Sequence, residues 1–266
     1  MSPNDLFVDT TVLNDLSIGV PNVRAVLTKA MRGRTVRSST YVIMEYRRTG
    51  LYALELVRAI IDGASAAKPL EALARVSDAL ARGYVETMRK RLNPNDVSRC
   101  NAVMRMLLKA IESAPSSRAL LLAVLDGQIE RARATQASLS LVDNTNCDLV
   151  QPSRPQSKKW PLSCNKREAR CKQRIFLDAK RVELRSIVNA CHADKGYDDK
   201  RFLKIAHIIV GSPHETTLGK ERCFPLGDAI IALEAAATGE LMTSNGKHYR
   251  PMGVALGLHI TVYSPY

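Results

Sequence analysis

Four positions in this chain carry oxygen donors where an α/β fold would expose them. Asp9 closes the short apolar run DLFVD, Glu45 lies in SSTYVIMEY, Asp228 opens GDAIIALEA, and Asn245 follows LMTS in LMTSNGKHY. Three carboxylates and one amide oxygen make a hard-oxygen site suited to Mg²⁺ or Mn²⁺ rather than to zinc. Such a site hydrolyses phosphodiesters, by activating a water and neutralising charge on the leaving oxygen. Each residue also has a plainer reading. Asp9 would equally serve as a helix N-cap, and an isolated Glu45 is more often a solvated helix glutamate.

The elements that must position these residues follow from local pattern. Asp5 to Asp9 reads as a short buried strand ending in an acid, with Thr10 or Thr11 capping the next helix. Pro21 to Arg32 reads as a helix stopped by Gly33, and Arg34 to Arg37 as a short strand. Ser38 and Ser39 cap a helix that turns Val42, Ile43 and Met44 inward and reaches Glu45. Near the other end, Asp228 stands where a helix begins, Ala229 to Ala237 continue it, and Gly239 stops it. Glu240 to Thr243 is a strand, Ser244 to His248 a polar turn, and Leu258 to Tyr263 a last β-branched strand. Ligands of open α/β sheets bind in the crevice at the strands' carboxyl ends. Asp9, Asp228 and Asn245 are expected to project into one such crevice, with Glu45 joining from its helix.

Between these ends the chain is mainly helical. From Leu51 to about Ser140 only Gly63–Pro69, Asn93–Asn95 and Pro115–Ser117 interrupt it, and no catalytic cluster stands out. Phe176 to Ala190 and Asp198 to Val210 read as amphipathic helices, the second carrying His207 as a core histidine.

Composition bounds the partners. The 266-residue chain has 45% hydrophobic residues, a formal charge of +13 and a pI near 9.7. A chain this basic is drawn to polyanions, with nucleic acid first and a membrane surface second. Only 5% of residues are aromatic, and no amphipathic stretch carries the Trp/Phe face of a membrane-surface helix. Gln151 to Lys180 holds nine Lys or Arg against two acids, a net of +7. Lys158, Lys159, Lys166, Arg167 and Arg170 surround the chain's single tryptophan, Trp160. A basic loop with one aromatic suits phosphate contact plus base stacking; a merely solvated loop is the alternative. No apolar run approaches a transmembrane length of about 20 residues, and MSPNDLFVD lacks the pattern of a signal peptide. A cytoplasmic protein is expected. Six cysteines in a reducing compartment are thiols or metal ligands rather than disulfides. Cys147, Cys164, Cys171 and Cys191 are candidates for structural Zn²⁺, although no C-x-x-C pair is present.

The order and wording of FVDTTVL, SSTYVIMEY, GDAIIALEA and LMTSNGKHY resemble the PIN-domain nucleases, especially VapC-type toxin ribonucleases. The resemblance implies a PIN-like α/β/α sandwich with a central, mostly parallel sheet formed by residues 1–62 and 224–266. Residues 63–223 would be a large, mainly helical insertion with a basic, Cys-containing loop at 143–180. It also implies metal-dependent cleavage of RNA leaving a 5′-phosphate, with Asp9, Glu45, Asp228 and Asn245 at the metal and Thr243 helping to place the metal or its water. Two departures stand out. The fourth position, often Asp in the family, is Asn245 here, and 183 residues separate Glu45 from Asp228, several times the gap of a compact member. A haloacid-dehalogenase-like phosphatase would need a second Asp two residues after Asp9, where Thr11 stands. The partners expected are RNA, with DNA as the alternative, and an inhibitory or recruiting protein or a second copy of the chain; no membrane. A toxin or antiviral-defence role goes with the resemblance. The rival class is a nucleic-acid-binding or partner-binding protein on an inactive PIN scaffold, told apart by the absence of metal-dependent cleavage.

Overall fold

Five short strands, all parallel, form one sheet in the order β3-β2-β1-β4-β5. They are β1 (Asp5–Val8), β2 (Thr35–Ser39), β3 (Ser140–Val142), β4 (Glu240–Thr243) and β5 (His259–Val262). The computed structural model describes residues 5–17, 21–47, 51, 58, 118–142, 171–211, 218 and 222–264. The chain is thus α/β with a five-stranded, all-parallel sheet. Central strands of such sheets are covered on both faces and read as continuous apolar runs. Leu6, Phe7 and Val8 of β1 and Leu241 and Met242 of β4 are accordingly buried.

Helices connect the strands: α1 (Thr10–Ser17), α2 (Pro21–Met31), α3 (Thr40–Tyr46) and α4 (Arg118–Ala137). After β3 come α5 (Lys172–Ala179), α6 (Arg181–Ala193), α7 (Lys200–Gly211), α8 (Gly227–Ala235) and α9 (Gly246–Leu256). Among these described residues no helix is long and apolar enough to cross a membrane.

The chain divides into two compact units. The first, Met1–Leu13, Thr28–Tyr46 and Leu139–Tyr266, holds the sheet. Helices α5 to α7, which the sequence assigns to an insertion, belong to it, and α6 packs against α9 and α7. In the second, Asn14–Leu27 and Arg47–Ser138, α4 buries Leu125, Ile129 and Ala132 at i, i+4, i+7 spacing, one face of a helix. Arg47 Nε donates to Gln136 Oε1 at 3.0 Å.

Several elements differ from the expectation. The cap of α1 is Asp9 rather than Thr10 or Thr11, since Asp9 Oδ1 accepts the Thr11 and Val12 N–H groups. The stretch from 176 to 190 is broken at Lys180 (φ −106°), and Asp178 ties the two halves by accepting Arg174 Nε at 2.9 Å and an Arg181 guanidinium N–H at 3.0 Å. His207 is exposed, not core, because α7 buries Phe202, Ile205, Ala206 and Ile209 and position 207 points away from that stripe. Strand β3 falls where a helix was expected to end. Helix α9 begins inside the expected polar turn. Gly246, Pro251 and Gly253 make its sequence look broken, yet Gly253 lets it lie close on the sheet. A Cβ there would sit 2.5 Å from Ile260 Cγ1 and 2.8 Å from the Leu258 carbonyl.

Candidate active site

Strand β1 continues to β2 on one side and neighbours β4 on the other, so the order of strands reverses between β1 and β4. The carboxyl edge at such a reversal is where α/β sheets open a crevice. Val8 pairs with Met242, and the ladder runs one step further as the Asp9 N–H reaches the Met242 carbonyl at 3.4 Å. Asp9 and Thr243 therefore leave their strands side by side.

Asp9 is only 2% exposed, and a buried carboxylate must be hydrogen-bonded. Its Oδ1 accepts the Thr11 N–H (3.0 Å), the Thr11 hydroxyl (2.7 Å) and the Val12 N–H (3.1 Å). Its Oδ2 accepts the buried Thr243 hydroxyl at 2.6 Å. The two readings of Asp9 thus coexist, one oxygen capping α1 and the other turned toward β4. Thr243 Oγ1 in turn accepts the Asn245 N–H at 2.8 Å, and Thr11 Oγ1 accepts the Ser244 N–H at 3.0 Å. This lattice fixes the path from β4 into α9.

Glu45 arrives on α3, whose start is capped by Ser39 Oγ accepting the Val42 N–H. Glu45 Oε2 accepts the Thr10 hydroxyl at 2.7 Å. Its Oε1 and the Tyr41 hydroxyl would each lie 2.9 Å from a Cβ on Gly227. Only glycine at 227 lets Glu45 come so close to the first turn of α8, the turn that carries Asp228. A carboxylate in that first turn is also favoured by the helix dipole. Asp228 Oδ2 meets His248 Nδ1 at 2.7 Å, and Oδ1 accepts the Tyr249 hydroxyl at 3.1 Å.

Tyr249 is buried beside Asp228. Burial, followed by the negative charge of Asp228, Asp9 and Glu45, pushes its hydroxyl well above the ordinary phenol value, so it stays protonated and donates. The charge of all three carboxylates is thus felt at one tyrosine, which contacts Asp228. A further acid, Asp199, feels Asp228: burial first, and then the Asp228 charge, raise the Asp199 carboxyl, against the Phe202 N–H it accepts at 2.8 Å and against His248.

Asn245 precedes α9 without its side chain capping that helix; its carbonyl accepts the His248 and Tyr249 N–H groups at 3.2 and 3.3 Å. The residue types at this edge offer carboxylate, hydroxyl and amide oxygens, the hard set that suits Mg²⁺ or Mn²⁺. In kind the residues fit such an ion. Among the described residues, no group of three or more His, Cys, Asp or Glu is drawn together at metal-holding spacing, and the Asp9 and Asp228 oxygens are held by protein donors.

Cys147 and Cys164 lie outside the described residues, as do Lys158, Lys159, Trp160, Lys166, Arg167 and Arg170. Cys171 is half-buried at the start of α5. Cys191 is buried in α6, and burial pushes its thiol up to about 12.

His248, Tyr249, Tyr197, Tyr41 and Asp199 were not singled out from the sequence. For His248 and Tyr249 a signal existed, since they lie at i+3 and i+4 from Asn245 and share a helix face with it once α9 is recognised. Comparison of the chain with protein-family models, with curated proteins and with solved structures gives no match.

Proposed function

We propose that the chain is a Mg²⁺- or Mn²⁺-dependent endoribonuclease on a PIN-like α/β/α scaffold. One observation carries the reading: Glu45, far from both in sequence, accepts the hydroxyl of Thr10 next to Asp9 and lies against Gly227 next to Asp228, at the reversal between β1 and β4. Asp9, Glu45 and Asp228 would hold the ion, with the Asn245 amide oxygen beside them. When bound, the ion supplies an activated water and neutralises charge on the leaving oxygen. The chain's own residues prepare that site. Thr243 and the first turn of α1 lock the Asp9 carboxylate, Thr10 steadies Glu45, and Tyr249 and His248 grip Asp228. An amide at 245 in place of an acid leaves the site one negative charge lighter and favours fewer bound ions. The basic segment from Gln151 to Lys180 supplies phosphate affinity, and RNA is the substrate class it suits.

A second reading, a nucleic-acid-binding protein on an inactive scaffold, draws on one observation: three protein donors occupy Asp9 Oδ1, and both Asp228 oxygens are engaged. The two part in a cleavage assay on end-labelled RNA and DNA with Mn²⁺. The nuclease reading expects cleavage of RNA by the parent, cleavage at background in Asp9→Asn and Asp228→Asn, and RNA binding kept in both. Binding by the parent with no metal-dependent cleavage of either nucleic acid favours the second reading. Cleavage that survives both substitutions refutes the assignment of the acids.

A further inference from the structure

His248 has no counterpart among the oxygen donors assigned to the ion, yet the fold invests heavily in its placement. Its Nδ1 lies 2.7 Å from Asp228 Oδ2 while the Tyr249 hydroxyl holds Oδ1 at 3.1 Å. The carboxylate is thus gripped through both oxygens. The imidazole is braced from behind. Tyr197 packs against it with ring centroids 5.7 Å apart, and Phe202 meets Tyr197 edge-on at 5.9 Å. Beside it, Lys247 Nζ meets Asp198 Oδ2 at 2.8 Å and ties the turn between α6 and α7 to the start of α9.

We propose that His248 is a positioning residue: braced by Tyr197, its Nδ1–H fixes the Asp228 carboxylate in the orientation that accepts a divalent cation. The inference rests on the metal-site reading above and adds a role to the helices between β3 and β4. Asp228 is 32% exposed at its side chain, so with the Tyr249 hydroxyl alone on Oδ1 its carboxylate would be less ordered and would lose more freedom on binding. Loss of an outer partner of this kind typically weakens metal affinity about 10- to 100-fold. A bond through Nδ1 makes a stereochemical prediction. An asparagine amide reaches the position of Nδ1, whereas a glutamine amide reaches that of Nε2.

The test titrates Mn²⁺ into the purified full-length chain without RNA, reading free Mn²⁺ by electron paramagnetic resonance, with thermal unfolding of each metal-free variant alongside. His248→Ala and His248→Gln should weaken Mn²⁺ binding about tenfold or more, and His248→Asn should return it to within about threefold of the parent. Tyr197→Ala should weaken it in the same direction while Tyr197→Phe, which keeps the ring, should weaken it less. Should His248→Ala not fold, the order of Asn above Gln decides alone. Equal affinities for His248→Asn and His248→Gln, or a His248→Ala affinity equal to the parent's, overturn the inference and leave the metal site standing. A parent that binds no Mn²⁺ overturns both.

Discussion

Thr243→Val removes one hydroxyl and nothing else of size, and that hydroxyl serves two partners. It donates to Asp9 Oδ2 at 2.6 Å and accepts the Asn245 N–H at 2.8 Å, with Thr243 fully buried and Asp9 2% exposed. Losing a hydrogen bond to a charged group costs about 1.5–3 kcal/mol, and leaving a part-buried N–H unpaired adds about 1 kcal/mol. The expected destabilisation is about 3 kcal/mol, a large share of the roughly 5–15 kcal/mol that holds a domain folded. Thr243→Ser keeps both bonds and deletes a methyl, at a cost of about 1 kcal/mol. Urea unfolding of parent, Thr243→Val, Thr243→Ser and the Asp9→Asn combinations measures this directly. In the double-mutant cycle Thr243→Val and Asp9→Asn should be coupled by about 1–2 kcal/mol. Valine and serine variants of equal stability, together with strict additivity in the cycle, would refute the claim that Thr243 holds Asp9.

Gly253→Ala should destabilise by about 1–3 kcal/mol, because its methyl would meet the Leu258 carbonyl and Ile260 on a strand that cannot easily move; urea midpoints check it. Two acids should respond to pH with opposite sign. The Arg34 hydrogen bond holds the Glu240 carboxyl below its ordinary value, so its stabilisation is complete above the unfolded value near 4.5 and is lost as pH falls through the lower folded one. Burial, with the Asp228 charge, raises Asp199, so its ionised form costs stability above the raised folded value, and the cost disappears as pH falls toward the unfolded value near 3.8. Urea titrations between about pH 3 and 7 should show Glu240→Gln flattening the acid loss and Asp199→Asn, which keeps the cap on α7, gaining stability at neutral pH. Replacing Lys158, Lys159, Arg167 and Arg170 with alanine should weaken RNA binding and flatten its logarithmic salt dependence by about 0.7 to 0.9 for every phosphate no longer neutralised; an unchanged slope places the RNA elsewhere.

What could be read from the sequence was local. Strands β1 and β4 are apolar runs closed by polar residues, so their carboxyl ends, and hence Asp9 and Asn245, were legible without a structure. Asp228 was legible because a first-turn acid before a run of helix formers is itself a pattern. The carboxyl-edge location follows from strand order alone, since Asp9 and Asn245 follow the two strands at the reversal. Helix α9 was hidden because its glycines and Pro251 imitate a loop, when Gly253 is there to let the helix lie against β5. Cysteine counting likewise could not show that Cys191 would be buried in α6 while Cys171 stays half-exposed.

The part of the site that stayed illegible has a common cause. Tyr197 and His248 are 51 residues apart, and neither the ring packing between them nor the approach of Glu45 to Gly227 has any local signature. Such juxtapositions exist only once α6, α7 and α9, and α3 and α8, are packed. This places acids and support on different footings. A carboxylate can be recognised from its own neighbours, but what fixes its orientation comes from elements with no pattern pointing to it. If the fold of this unit serves to hold Asp228, then substitutions in the turn between α6 and α7, none of which touches an assigned oxygen donor, should act on Mn²⁺ affinity through His248. Substitutions on the exposed face of α7, such as His207→Ala, should leave that affinity alone.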